Sequence, residues 1–165
     1  MERGEVERLY DAHAAAVFRY AGAMMRDREE ARGALQDVFV KLGRNGGVLD
    51  GVDDVRGFVL RITRNTVLDR LRRAAVRRKP VGTEQNGEPP PDASADRVVF
   101  HEAVAEALAE LPLEQREVVA MKLWQGRTFA EIGELCAISQ NTAASRYRYG
   151  IDKLQALLRP LYDEL

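Results

Sequence analysis

Apolar residues recur at intervals of three and four along most of this chain, which is the period of an α-helix with one buried face. The clearest run is Ala31, Ala34, Leu35, Val38, Phe39 and Leu42, an i, i+3, i+4, i+7, i+8, i+11 series. Before it, Leu9, His13, Ala16, Val17, Tyr20 and Met24 form one stripe and predict a helix over residues 6–25. Asp27 opens the second helix, with Glu30 three residues on in the manner of a capping box, and Asn45-Gly46-Gly47 ends it. Asp53-Asp54 cap a third run with Val55, Phe58, Val59 and Ile62. Thr63 to Asn65 are expected to interrupt that run before Val67, Leu68 and Leu71 resume its apolar face.

The second half repeats the helical period. A helix carries Val99, Ala103, Leu108 and Leu111, and Pro112 suits the start of the next. That next helix, residues 114–124, is expected to turn Val118, Val119 and Leu123 inward, and Gly126 stops it. Thr128 and Glu131 form a capping box for a short helix with Phe129, Ile132, Leu135 and Cys136. Ala137-Ile138-Ser139 then turns the chain, and Ser139 caps a long final helix over residues 140–158. Between the halves, Pro80 to Asp96 holds four prolines, two glycines and four acids, with Val81 its only large apolar residue. Such a segment buries too little to fold and reads as a flexible acidic linker. No alternating strand pattern competes. The expectation is an all-α chain with two small helical domains, residues 1–79 and 98–165, joined by a linker over 80–97.

Charge changes the picture more than composition does. The net charge of −1 argues by itself against a nucleic-acid binder. Its distribution reverses that: Arg56 to Lys79 holds nine Arg or Lys against the single acid Asp69. A helix face this one-sided is the electrostatic footprint of a phosphate backbone. Other chemistry finds little support. The one cysteine, Cys136, excludes an intramolecular disulfide, and with His13 and His101 far apart no metal set is formed. Neither histidine has a nucleophile motif beside it, so the chain is read as no enzyme, with no cofactor and no small-molecule substrate. Its first turn is charged and no stretch approaches a membrane span, so a cytoplasmic location without membrane insertion is expected.

Two motifs carry function. Thr128 to Leu154 pairs two capped helices across a tight turn, a helix-turn-helix. Gly133, Ala137 and Ala143 are small where the helices cross, and Ile132 and Ile138 fill the angle. The second helix offers Gln140, Asn141, Thr142, Ser145, Arg146, Arg148 and Tyr149 to a major groove. The second motif is Arg56 to Lys79, where Arg61, Arg64, Arg70, Arg72 and Arg73 alternate with apolar positions. Asn65, between its two helical runs, is placed to cap a helix and, compatibly, to present an amide to an unstacked base. A helix-turn-helix regulator that binds duplex DNA by itself would account for the second half alone. It leaves the cationic run, Asn65 and the acidic linker without a role.

Taken in order, ARGALQDVFVKL, RGFVLRITRNTVLDRLRR, the acidic linker and LPLEQREVVAMKLWQGRTFAEIGELCAISQNTAASRYRYGIDKL resemble an extracytoplasmic-function sigma factor over residues 9–158. The resemblance implies a first domain of the sigma domain 2 type. Its second helix would bind the polymerase clamp helices through Leu35, Gln36, Asp37, Phe39 and Val40, and Asn65 would capture a flipped base of the −10 element. It implies a second domain of the sigma domain 4 type that reads the −35 element and touches the polymerase flap. The linker resembles the acidic connector that runs through the polymerase active-site channel, and the family suggests an anti-sigma partner. Departures stand out. The acidic pair that usually precedes the Gln is Arg32-Gly33, and the usual tryptophan is Phe58. The run after Ser145-Arg146 reads Tyr147-Arg148-Tyr149, and Asn141 stands where glycine is common.

Overall fold

A computed structural model describes residues 3–44, 49–77 and 95–163, and every regular element among them is an α-helix. The helices are α1 (Arg3–Met24), α2 (Arg28–Arg44), α3 (Val55–Arg77), α4 (Ala95–Glu110), α5 (Leu113–Leu123), α6 (Phe129–Cys136) and α7 (Gln140–Asp163). They form two compact units, the first carrying α1–α3 and the second α4–α7. The glycine stop after α2, most of the acidic linker, and Arg78 and Lys79 lie outside the described residues. The end of the expected linker, from Ala95, is already helical.

In the first unit α2 is the central element. All six residues of its predicted stripe are buried. Leu35, Val38, Phe39 and Leu42 pack with Val17 of α1 and Val59 of α3, with Leu9, Phe18, Phe58 and Ile62 around them. Burying each of these four large side chains contributes about 1.5–3 kcal/mol. The α2 start is held by Asp27, whose Oδ1 accepts from the Glu29 amide at 2.9 Å. The expected reciprocal partner behaves differently: the Glu30 carboxylate accepts from Arg70 of α3 at 2.8 Å. The α3 start is capped by Asp54, whose Oδ1 accepts from the Gly57 amide at 2.9 Å.

The expected break at Thr63 to Asn65 is absent, because α3 runs without interruption. Thr63 and Thr66 are buried, and each hydroxyl donates to the carbonyl four residues back, Val59 at 2.7 Å and Ile62 at 2.8 Å. A threonine hydroxyl satisfied in this way can sit in a helix core at only a small cost to the helix. His13 is half-buried in α1, where burial and then the Arg56 charge hold its pKa below the ordinary value, so it is neutral near pH 7.

In the second unit α5 is encased over Glu117 to Met121, five consecutive buried residues. Leu123, expected to face inward, lies two residues beyond that section and is exposed. Arg116 fastens α5 to the end of α4: its guanidinium donates to the carbonyls of Ala109 at 3.2 Å and Leu111 at 2.9 Å. Those are among the carbonyls a helix end leaves without internal partners. The final helix α7 extends past the expected end and through Pro160. A proline this near a helix end removes one backbone bond in the last turns, where fraying makes the loss small.

The turn between α6 and α7 rests on Ala137, which adopts a left-handed backbone, φ 55° and ψ 46°. Sequence reasoning placed Ala137 at a helix crossing; it is exposed, and its small size serves the turn instead. An L-residue pays about 1–2 kcal/mol for this conformation, which glycine adopts freely. Ala137→Gly should therefore stabilise the second unit by about 0.5–1 kcal/mol after the added unfolded-state entropy of glycine is subtracted. Denaturant unfolding of the purified chain measures it as a higher midpoint at unchanged slope.

Candidate nucleic-acid interface

Both candidate surfaces are helix faces, so helical period decides which side chains meet. On α7 the inward line is Ala143, Gly150 and Leu154, all buried. The opposite line carries Asn141, Ser145, Arg148 and Tyr149 at spacings of four, three and one. Asn141, Arg148 and Tyr149 are exposed, Tyr149 by 60%, while Ser145 is half-buried. Gln140 is exposed in the first turn. Asn141, Ser145, Arg148 and Tyr149 share one side of the helix, and Gln140 stands at its start.

The remaining two α7 candidates lie to one side. The Thr142 amide donates to Ser139 Oγ at 3.0 Å, and the Ser139 hydroxyl donates to Thr142 Oγ1 at 2.8 Å. Thr142 thus helps to build the cap and keeps its own hydroxyl proton for a partner. Arg146 turns toward α5, with Nη2 4.0 Å from Glu114 Oε2. An exposed pair at that distance restrains little, so the guanidinium remains available to a phosphate.

Several contacts present this helix rigidly. Gly133 of α6 is a close-approach position: an added Cβ would lie 2.8 Å from the Ile138 carbonyl oxygen. Ile132 is wholly buried below it. Phe129 packs on Tyr147 of α7, ring centroids 5.5 Å apart, and Lys122 Nζ lies 4.5 Å above the Phe129 ring. The capping box at Thr128 forms in both directions, with each bond at 3.1 Å. Sequence reasoning missed its third member, Arg127, which is buried and donates to Glu131 Oε2 at 2.7 Å. The Thr128 amide first, and Arg127 next, hold the Glu131 carboxyl below its ordinary pKa. An arginine four residues before a helix-start glutamate was the available signal.

On α3 the outward line is Arg61, Asn65 and Arg72, at i, i+4 and i+11, and all three are exposed. From first to last they span about 16 Å along the axis, comparable with five stacked base steps of one strand. Asn65 lies in mid-helix, so it caps nothing; its amide faces outward among arginines. Arg64 is half-buried at one flank. Arg73 is exposed and pairs within its own helix, Nη2 to Asp69 Oδ2 at 2.7 Å. Arg70 belongs to the other side altogether. It lies eleven residues after Val59 and four after Thr66, in register with the buried face, and its guanidinium engages Asp37 and Glu30 of α2.

The candidates for a partner surface on α2 divide similarly. Leu35 and Phe39 are in the core, with Tyr10 edge-on to Phe39 at a centroid distance of 4.9 Å. They position α2 and offer little surface to a partner. Gln36 and Val40 are exposed, Val40 by 50%, and Arg32 is exposed beside them. Asp37 is partly buried and ion-paired. Another tie joins the same two helices: Lys41 Nζ donates to Thr66 Oγ1 at 2.9 Å, next to Asn65. No sequence signal marked Lys41.

Among the described residues no cluster of His, Cys, Asp and Glu could hold a metal ion, and no helix is long and apolar enough to cross a membrane.

The chain matches the family model for sigma-70 region 2 over residues 9–77 and that for sigma-70 region 4 over residues 101–154. It is 31% identical over 160 residues to the sigma factor SigL of Mycobacterium tuberculosis, covering 93% of this chain and 88% of SigL. It is 31% identical over 157 residues to SigM of the same organism, covering 95% and 79%. Among solved structures it is similar to the sigma factor RpoE bound to the anti-sigma factor NepR from Bartonella quintana. There the TM-score is 0.77 at 19% identity, with 94% of this chain and 97% of that chain covered. CnrH in complex with the cytosolic domain of CnrY gives a TM-score of 0.69 at 22% identity, covering 96% and 90%. With both regions in order on two helical units, the chain belongs to the extracytoplasmic-function sigma factors, the transcription initiation factors of RNA polymerase.

Proposed function

We propose that the two exposed lines divide promoter recognition between them. The observation that carries this reading is the outward line Arg61, Asn65 and Arg72 on α3, where one amide stands between two guanidinium groups. Arginines alone grip a duplex backbone. An amide among them adds a group that hydrogen-bonds the edge of an unstacked base. In this assignment residues 1–79 form the domain that contacts the −10 element and the polymerase clamp, and Gln36 and Val40 with Arg32 make the clamp contact. Residues 98–165 form the domain that reads the −35 duplex, with Gln140, Asn141, Ser145, Arg148 and Tyr149 in the major groove and Arg146 on the backbone. The stretch 80–97 connects them.

The chain makes and breaks no bond in this scheme. Opening is favoured because the α3 face binds parted strands better than paired ones, and a ligand shifts an equilibrium only by such a difference. The protein works in the cytoplasm, where polymerase and promoter are. The resemblance to sigma factors solved with anti-sigma factors supports an inhibitor that covers one of these faces.

Run-off transcription with core polymerase on a genomic fragment library tests the reading. The chain should yield transcripts with defined starts, and their upstream sequences should share two spaced elements. Binding of an operator by the chain alone, with no transcripts from core enzyme, would overturn it.

A further inference from the structure

The ion pair between α2 and α3 has an unusual seat. Arg70 Nη1 donates to Glu30 Oε2 at 2.8 Å, and its Nε donates to Asp37 Oδ2 at 2.9 Å. Glu30, Gly33 and Asp37 follow one another at helical spacing along α2. A Cβ placed on Gly33 would lie 2.7 Å from Nη1, 2.7 Å from Nη2 and 2.8 Å from Cζ. Near-equal distances to three atoms of a planar group mean that the guanidinium lies flat over the glycine. The absence of a side chain at residue 33 is thus what lets one arginine reach both carboxylates. Its side chain is only 23% exposed.

We propose that Arg70 is a positioning residue of the promoter-binding surface, a latch that fixes α3 on α2 through its seat at Gly33, and that it contacts no phosphate. This rests on the reading that α3 binds the −10 region and α2 binds polymerase. Two consequences follow from the geometry. The latch sets the rotation of α3, and with it the outward direction of Arg61, Asn65 and Arg72. It also occupies Asp37, so the clamp contact falls to the exposed neighbours Gln36 and Val40. Arg32-Gly33 in place of an acidic pair fits the same device, since a side chain at residue 33 would force the guanidinium to shift from its seat.

The test compares holoenzymes reconstituted with the full chain, binding promoter DNA over a range of salt. A residue that neutralises a phosphate contributes about 0.7–0.9 to the slope of log K against log salt. Arg61→Gln and Arg72→Gln should each lower that slope by about one. Arg70→Gln should leave it unchanged while lowering open-complex yield several-fold. Gly33→Ala should reproduce the Arg70→Gln loss, because the flexible guanidinium must move aside. In the Arg70→Gln background Gly33→Ala should then cause no further loss. Circular dichroism of each variant confirms that it is folded at the assay temperature. A slope lowered by about one in Arg70→Gln, or full open-complex yield in Gly33→Ala, would overturn the latch and leave the promoter reading intact. A wild-type chain that captures no core polymerase would overturn the promoter reading instead. The thermal-stability cycle between residues 33 and 70 of the free chain still reads the latch itself, and additive losses there would reject it.

Discussion

Gly133→Val is expected to unfold the helix-turn-helix at temperatures where the wild-type chain is folded. The position lies within α6, where Gly normally costs about 1 kcal/mol against Ala, so propensity alone predicts a gain on substitution. Contact geometry decides the other way. The first added carbon would sit 2.8 Å from the Ile138 carbonyl oxygen and 3.5 Å from the Gln140 amide nitrogen. Both atoms are backbone, and both belong to the turn that aims α7. Neither can rotate aside, so relief requires α6 and α7 to separate and to break the Ile138 amide bond to the Gly133 carbonyl at 3.0 Å. Overpacking of this kind costs about 1–3 kcal/mol even where side chains absorb some of it. With a rigid backbone opposite and two further methyl groups, valine should cost about 3 kcal/mol or more. In a domain of this size that lowers the melting temperature by on the order of 15 °C. Gly150→Ala is the control. Its added carbon would meet a methyl of the buried Val119 at 2.8 Å, a side chain where Gly133 faces backbone, so the loss should be smaller, about 1–2 kcal/mol. Calorimetry of the two variants checks the order, and a Gly133→Val melting within a few degrees of wild type would mean that the turn is not held as described.

The contrast between these glycines shows what patterning can and cannot reveal. Every predicted core position of α2 is buried, because a six-residue stripe at helical period leaves one solution. The caps at Asp54, Thr128 and Ser139 were equally legible, since each is a local contact between residues three apart. Thr63 was misread because a polar side chain that bonds its own helix is indistinguishable in sequence from one that ends it. Leu123 was misread because period tells the face of a helix and says nothing of where its neighbours stop.

The candidate site shows the same limit at longer range. Arg70 reads as one more arginine in a basic run, yet it lies eleven residues from Val59 on the buried line. Period alone could have set it apart from Arg61 and Arg72. Its partners could not have been found that way, because Glu30 and Asp37 lie 40 and 33 residues away in the chain. The exposed line of α7, by contrast, followed from its cap and period, and only Arg146 and Thr142 needed the structure to set them to one side.

Asn65→Ala should reduce open-complex occupancy about ten- to a hundred-fold while leaving capture of the −35 duplex within a factor of two. A well-formed side-chain amide contact to a base edge is worth about 1–3 kcal/mol, and each 1.4 kcal/mol is tenfold in an equilibrium constant. Extruding a base costs a few kcal/mol, so the opened state is closely balanced and the loss of one such contact is felt almost in full. Fold should be undisturbed: Asn65 is exposed in mid-helix, and alanine is the better helix former. The loss is also distinct from that of its neighbours on the same line. Arg72→Gln weakens paired and parted DNA together and lowers the salt slope, whereas Asn65→Ala should leave the slope unchanged and act on opening alone. Permanganate footprinting of the opened strand, set beside filter binding of a −35 duplex at several salt concentrations, separates the two. Asn65→Ala losing both activities equally would assign Asn65 to duplex docking and leave strand capture to a residue elsewhere on α3.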